Sequence, residues 1–334
     1  MTKESYLSKA SGILMEYLVL SAIVLLVVVT AIVEPSFLTT GNITNLMRQF
    51  GPLSFTALGM TFIIVGGFID LSLPGMISLV TMITLSLFDI VGEIPAMMVG
   101  MLLGASLGTI NGTILVKSGA TTQAKALFIT FGMSQIYGAL SQLYTSGQVI
   151  DRTFINHPMP VTRALSTGTV NIPLSGDFTL MLPISFFVFL FFLIILYIFQ
   201  KKTLLGRSIN YTGGNILAAE LGGIPTRRIM ILIYALCGLM TAAGAIVLFS
   251  RVPVAVPLLG ANFERDSIMA VVVGGTSLLG GKGSVLRTVL GVFLVVLLSN
   301  CMNLMGINTH LQEVFRGAVL VTAIWLDHRR HAKG

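Results

Sequence analysis

KKTLLGRSINYTGGNILAAELGGIPTRR, residues 201–228, separates two long apolar runs at 178–200 and 229–249. This stretch carries five Lys or Arg residues and five glycines, whereas each flanking run is long and apolar enough to cross a bilayer as a helix. Continuous runs of this kind differ from the alternating segments of about ten residues that build a membrane β-barrel. The pattern predicts a helical membrane protein that presents a structured polar segment at one membrane face.

The composition of the whole chain agrees with this class. Of 334 residues, 54% are hydrophobic and only 10% are charged, whereas an ordinary soluble domain is about a quarter charged. The formal net charge is +7, but an excess of Lys and Arg in a membrane protein reports orientation rather than nucleic-acid binding. Both cysteines, Cys237 and Cys301, lie in apolar runs, so we expect buried packing residues rather than a disulfide.

The apolar runs predict an all-α polytopic protein of about ten transmembrane helices, several of them broken at Gly or Pro. They form one transmembrane domain over residues 1–334. The first run is too long for a signal peptide, so we expect it to be a retained span. The expected spans are 14–33, 48–66, 74–87, 95–116, 124–143, 178–200, 229–249, 266–280, 285–304 and 311–326.

Basic residues are distributed unequally between the two sides of these spans. If the N-terminus is inside, most of the 20 Lys and Arg residues fall in cytoplasmic segments. Cytoplasmic loops are enriched in Lys and Arg, so this distribution predicts that both termini and the 201–228 segment are cytoplasmic. The external segments hold only Arg48, Arg152, Arg163, Arg251 and Arg265.

Two segments resemble each other within the chain. Residues 60–80 and 267–289 each contain an apolar run, a Gly-Gly pair, a short stretch with Leu and Ser, a second glycine and a new apolar run. Transporters are often built from internal repeats, and interrupted spans at matching positions indicate the transport pathway. We interpret the two segments as a possible internal repeat.

Four polar residues fall within or beside the predicted spans. Asp70 either braces a helix that begins near residue 72 or contacts the transported solute. Asn111 and Asn300 either hydrogen-bond between helices or line a polar path, and with Asp70 they are the candidate path residues. Arg316 lies in the last span, where we expect it to pair with Glu313.

Two glycine patterns indicate turns and packing. Residues 275–284 approach the phosphate-binding pattern G-x-x-x-x-G-K-[ST], but Gly283 follows Lys282 where Ser or Thr is required, and membrane spans flank the segment. We therefore expect a tight turn between two helices rather than a nucleotide site. Small residues at four-residue spacing allow close approach of helices, and this spacing occurs at Gly100, Gly104, Gly108 and Gly112.

No constellation in the sequence predicts catalysis, a metal site or a selective channel. The four histidines lie in predicted loops or the tail without ligand spacing. The spans carry neither the chain of acidic or histidine residues typical of a proton-driven pump nor a selectivity-filter motif. We therefore expect a transporter that takes its energy from a partner. A self-sufficient secondary transporter is the alternative of another class.

Three ordered blocks resemble the permease subunits of bacterial ABC importers for ribose, xylose, arabinose and galactosides, within the branched-chain amino acid permease superfamily. The blocks are GMTFIIVGGFIDLSLPGMISL (59–79), TLLGRSINYTGGNILAAELGGI (203–224) and AVVVGGTSLLGGKGSVLRTVLGVFLVVLLSNCMNLMGI (270–307). The chain departs from the family pattern at Pro74, at Arg287, where glycine is usual, and at Lys125 in the fifth span. These departures concern the substrate rather than the fold.

The resemblance implies a multi-pass permease of the bacterial inner membrane that imports a sugar or sugar-like solute. It would be no enzyme and bind no cofactor itself, since ATP would be hydrolysed by cytoplasmic ATP-binding subunits. A periplasmic binding protein would deliver the solute, and a second permease copy, identical or different, would complete the pair. A branched-chain amino acid or nucleoside permease is the alternative within the superfamily.

The resemblance also implies that residues 203–224 dock on the ATPase. The glycines there allow tight turns around a short helix near 215–221, for which Asn215 is a plausible cap. The expected docking residues are Gly206, Arg207, Asn210, Gly213, Gly214, Asn215, Ala218, Ala219 and Gly223.

Overall fold

The computed structural model describes residues 19–119, 122–175 and 178–331, and these are mostly helical. The helices are α1 (Val19–Val33), α2 (Thr40–Val65), α3 (Leu73–Ser86), α4 (Phe88–Val91), α5 (Glu93–Lys117), α6 (Gln123–Thr145), α7 (Pro160–Thr167), α8 (Ile184–Lys202), α9 (Leu204–Gly214), α10 (Ile216–Leu221), α11 (Thr226–Arg251), α12 (Phe263–Val273), α13 (Val285–Leu304) and α14 (Thr309–His331). Two antiparallel pairs join β1 (Ile150–Asp151) to β4 (Val254–Ala255) and β2 (Thr169–Ser175) to β3 (Phe178–Pro183).

The expected all-α polytopic architecture is confirmed. Every predicted apolar run coincides with a helix, although the start of the first run lies outside the described residues. By length and hydropathy, five helical segments in the described chain can each cross a membrane. They are Leu73–Val91, Glu93–Lys117, Ile184–Lys202, Thr226–Arg251 and Val285–Leu304. The number of ten crossings stays a prediction.

Several predicted spans have different bounds in the structure. The second helix begins at Thr40 rather than at 48. The sixth helix begins at Ile184 rather than at 178, because Phe178–Pro183 pairs with β2 in a hairpin. The eighth ends at Val273 rather than at 280, because Gly275 has φ +91 and stops it. With 11 residues, α12 is about 16 Å long, well short of a bilayer core of about 30 Å.

Three of the four glycines in the α5 stripe pack against α11, in the close approach that their spacing predicts. Gly104 faces Gly238, and a Cβ added to Gly104 would lie 2.5 Å from the Gly238 carbonyl oxygen. Gly108 and Gly112 are also tight against Tyr234 and Ile231 of α11, whereas Gly100 packs against Thr84 of α3. Only glycine permits this approach of the two backbones, so the packing interpretation is confirmed.

Aromatic rings and hydroxyl groups join α2 to α8 and α13. Phe50 of α2 meets Phe189 of α8 edge-on, with centroids 5.1 Å apart, a favourable aromatic geometry. The hydroxyls of Thr61 and Thr288 lie 2.7 Å apart across the α2–α13 contact. These contacts place α2 at the centre of the molecule. Both cysteines are free and buried, as expected.

The two segments interpreted as a repeat have the same helix–break–helix form. After α2, Gly67 has φ +85 and the Phe68 amide donates to the Ile63 carbonyl over 3.0 Å. After α12, Gly275 has φ +91 and the Thr276 amide donates to the carbonyl five residues earlier over 3.2 Å. Comparable caps end α10 and α13. Because this cap is not specific to the two segments, their interpretation as a repeat rests on the shared order of elements.

Arg316 takes part in a larger charged group than expected. Its guanidinium lies 3.8 Å from Glu313, the predicted partner, but only 3.2 Å from Asp266 of α12. It also donates to the Ser299 hydroxyl of α13 over 3.0 Å. The pairing is thus confirmed, and the group ties α14 to α12 and α13.

Candidate functional site

The polar stretch folds into two short helices between α8 and α11. The hydroxyl of Thr203 accepts from the Gly206 amide over 3.0 Å and caps α9. The side chain of Asn215 accepts from the Ala218 amide over 3.0 Å and caps α10, so the predicted short helix and its cap are confirmed. The sequence interpretation missed α9, because glycines at both ends of Gly206–Gly214 suggested turns.

These helices form one wall of an open cleft of about 670 Å³. Five of the predicted docking residues line it, namely Asn210, Gly214, Asn215, Ala218 and Ala219. The other four, Gly206, Arg207, Gly213 and Gly223, belong to the same segment but do not line the cleft. The structure therefore brings five of the nine predicted docking residues to one surface.

The opposite wall is the glycine turn between α12 and α13, formed here by 279–282. We expected a tight turn there, and Gly280 and Gly281 have φ of +84 and +74. Its position beside α10 was not predicted. The available sequence signal was Lys282, a charged residue between the predicted spans 266–280 and 285–304. In the structure Leu279 and Lys282 are both exposed. The turn that resembles a phosphate-binding loop is thus part of the cleft.

The base of the cleft rests on the end of α2. The Gly281 amide donates to the Val65 carbonyl over 2.8 Å. A Cβ on Gly213 would collide with the same carbonyl oxygen, and one on Gly67 would lie 3.4 Å from the Gly213 Cα. We call Gly67, Gly213, Gly280 and Gly281 the glycine junction, because their backbones meet without side chains between them. It joins the cleft directly to the α2–α3 break.

The surface around the cleft is apolar with a basic rim. Leu217 and Leu221 of α10 are 63% and 83% exposed. Glu220 is the only acid of the stretch, and its carboxylate accepts from the Thr226 hydroxyl over 2.5 Å. Exposed basic residues surround this patch at Lys201, Lys202, Arg207, Arg227, Arg228 and Lys282. Apolar residues rimmed by one charge sign are suited to a protein partner of opposite charge.

Asp70 and Asn111, two of the candidate path residues, lie in one buried network. Asp70 Oδ1 accepts from the Ser72 amide over 2.8 Å and from its hydroxyl over 2.6 Å. The Asn111 side-chain amide donates to the Ser72 hydroxyl over 2.8 Å. Tyr137 of α6 donates to Asn111 Oδ1 over 2.8 Å. This geometry fits the bracing role of Asp70, since it fixes the start of α3 against α5 and α6.

Asn300 lies elsewhere. Its side chain exchanges two hydrogen bonds with Asn42 of α2, over 2.9 and 3.1 Å. Asn42 also donates to the Phe37 carbonyl over 2.8 Å. The third candidate path residue therefore makes the interhelical hydrogen bond that we had weighed as its other role.

In the part of the chain that the structure describes, no group of three or more His, Cys, Asp and Glu residues could hold a metal ion. The site combines exposed apolar residues, a basic rim and a backbone connection to α2.

Comparison with known proteins places this chain among transport permeases. The family described as "Branched-chain amino acid transport system / permease component" matches residues 42–324. The ribose import permease protein RbsC of Escherichia coli K12 is 31% identical over 95% of both chains. RbsC of Bacillus subtilis is 32% identical over 92% of this chain and 91% of its own. The xylose transport system permease protein XylH of Escherichia coli K12 is 30% identical, covering 88% and 86%. No solved structure matches.

Proposed function

The chain belongs to the branched-chain amino acid transport permease family, and from this premise we propose that it is the membrane-spanning subunit of an ATP-driven importer of a sugar or sugar-like solute. The sugar class is supported by near full-length similarity to permeases named for ribose and xylose. Such a subunit is a multi-pass protein of the inner membrane and not an enzyme. ATP is hydrolysed by a partner, and this chain binds no cofactor of its own.

The cleft between α10 and the 279–282 turn, which we place on the cytoplasmic side, is the single observation that supports the coupling part of the proposal. Beside the cleft, Leu217 and Leu221 of α10 are exposed to water in the isolated chain, which is unfavourable unless a partner covers them. The basic rim favours a partner with acidic residues around an apolar surface. An ATP-binding subunit that packs on α10 and the 279–282 turn would meet both requirements.

The glycine junction supports transmission of movement from that partner to the membrane helices. Because Gly213 and Gly281 both contact the Val65 carbonyl, a shift of α9 or of the turn must move the end of α2 or break these contacts. Closely packed backbones behave as rigid units and transmit displacement. The α2–α3 break and the Asp70 network lie directly beyond.

The remaining partners follow from the same function. We propose that a second permease copy, identical or different, completes the transport unit, and that a periplasmic binding protein delivers the solute. Both termini are then cytoplasmic, as the distribution of basic residues predicts.

Two substitutions test the docking surface. A side chain added at Gly214 meets nothing within 4 Å, so Gly214→Leu fills the cleft without disturbing the fold, and Ala218→Leu does the same from exposed α10. We expect ATP-dependent uptake to fall at least about tenfold, equivalent to ~1.4 kcal/mol. Co-purification of the ATPase with the permease should weaken in parallel, while the Tm of the permease alone stays unchanged.

Gly41 provides the matched control. It also meets open space, but it lies in the first turn of α2, far from the cleft. Gly41→Leu should leave co-purification of the ATPase intact. If the Gly214 and Ala218 variants retain full uptake and bind the ATPase normally, the docking role of the cleft is wrong.

A further inference from the structure

The helix α6 is long enough to cross a membrane but too polar to be placed in lipid by its composition. It has 23 residues, from Gln123 to Thr145, yet it is not among the five segments that are both long and apolar enough. Polar side chains inside a membrane face protein, a partner or a water-filled cavity, since hydrocarbon offers no hydrogen bonds. The position of the polar residues of α6 therefore indicates what this helix faces.

A cavity of about 220 Å³ lies between α3, α6 and the turn after β4. Four lining residues of α6 share one face at the spacing i, i+3, i+4 and i+7. The lining comprises Pro74, Gly75 and Ser78 from α3, Ser134, Gln135, Gly138, Ala139 and Gln142 from α6, and Leu258 and Ala261 from the turn. None of these residues is charged.

The cavity lies near the midpoint of α6. Gln135 is 12 residues from the start of α6, which places it about 18 Å along the helix. Gly75, in the first turn of α3, packs against the neighbouring Ser134 carbonyl. Gly260 packs in turn against Pro74, where an added Cβ would lie 2.5 Å from the Pro74 carbonyl oxygen. The turn after β4 thus reaches the level of the α6 midpoint.

Several polar groups of the cavity have no partner. The side chains of Gln135 and Gln142 are exposed and make no hydrogen bond to any other described residue. The Ser134 hydroxyl likewise makes none within the described chain. By contrast, Tyr137 on the other side of α6 is buried and hydrogen-bonded to Asn111. If α6 crosses the membrane, as the sequence predicts, these two free amides need hydrogen-bond partners from outside the chain.

We propose that this cavity is a solute-binding site on the transport route, and that its ligand is a neutral, hydroxyl-rich molecule of the monosaccharide class. Each free glutamine offers both an acceptor and a donor, which suits hydroxyl groups that do both. The absence of charge from the lining favours a neutral ligand. Ordinary ligand pockets measure roughly 300–1,000 Å³, so 220 Å³ fits one side of a route that another subunit completes.

The identity of the ligand as a sugar rests on the proposed function, whereas the water access of the cavity does not. Packing of the two glutamines against a second permease copy is the competing explanation. The two cases differ in whether a water-soluble reagent reaches Gln135 in the assembled transporter.

Cysteine labelling measures this access. Both native cysteines are buried, so an added thiol reports its own surroundings. In membrane vesicles holding the assembled transporter, a charged, membrane-impermeant thiosulfonate should modify the Gln135→Cys variant at least about tenfold faster than Ile136→Cys. Ile136 is the neighbouring control, half exposed and apolar at the same depth. Equal rates, or a disulfide between copies of the Gln135→Cys variant with no labelling, would overturn the proposal.

Filling the cavity tests its use by the solute. An added side chain at Gly138 meets open space, as does one at Gly132, which lies on the same helix outside the cavity. With radiolabelled ribose and xylose as probes, Gly138→Leu and Gln135→Leu should reduce ATP-dependent uptake at least about tenfold. Gly132→Leu should not, and Gln135→Asn should recover part of the loss.

The outcomes separate the two proposals. If the unmodified transporter takes up neither sugar in an ATP-dependent manner, the proposed function fails. If it transports one of them and the Gly138 and Gln135 variants transport it equally well, only the solute site fails.

Discussion

At the scale of single residues, Asp70 is both fully buried and a carboxylate, which needs polar partners. A carboxylate that is fully buried beside the α2–α3 break must be stabilised by its neighbours. Its Oδ1 satisfies this through Ser72, whereas Oδ2 has no hydrogen-bond partner in the described chain. The residue type and the break were readable from the sequence. The chain of contacts to Asn111 and Tyr137 was not, because it joins three helices that are distant in sequence.

This asymmetry allows the bracing and path roles to be separated. Asp70→Asn keeps the Oδ1 acceptor, so we expect a Tm close to that of the unmodified protein. Asp70→Ala removes the acceptor for both Ser72 donors, which should lower the free energy of unfolding by about 1–3 kcal/mol. Thermal unfolding of the purified permease in detergent measures both. Should Asp70→Asn abolish uptake at unchanged Tm, the charge has a role in transport beyond bracing.

At the scale of secondary-structure elements, glycine patterns correctly predicted helix packing at one place and led to a missed helix at another. The four-residue spacing in α5 predicted a close helix contact, although not its partner α11, because small residues allow two helix backbones to approach. In contrast, helix α9 was not predicted, because its glycines suggested turns. The Thr203 cap stabilises the start of this helix despite those glycines. Residues 178–183 were assigned to a helix because short apolar runs do not distinguish a strand from a helix.

The α5–α11 contact predicts a clear difference between two glycine substitutions. Gly104→Ala brings a Cβ to within 2.5 Å of the Gly238 carbonyl oxygen, so the helices must separate. We expect the free energy of unfolding to fall by about 1–3 kcal/mol. Gly132→Ala adds a Cβ in open space and should be neutral or stabilising by up to about 1 kcal/mol, since alanine favours helix. Equal Tm values for the two variants would contradict the close packing.

At the scale of the whole molecule, the order of apolar runs was readable from the sequence, but the cleft was not. Its walls come from residues near 215 and near 280, which are brought together only by the packing of α2 between them. The same holds for the α3–α6 cavity, whose lining includes a turn more than a hundred residues further along the chain. The class of protein was therefore predictable from the sequence, whereas the cleft and the α3–α6 cavity were found only in the structure.

The most direct test of the account is uptake by proteoliposomes reconstituted with the permease, its ATPase and its binding protein. We expect accumulation of a labelled monosaccharide such as ribose or xylose only when ATP and all three components are present, and its loss in Gly214→Leu. Uptake driven by a proton or sodium gradient, by the permease alone and without the ATPase, would contradict the account and identify a secondary transporter.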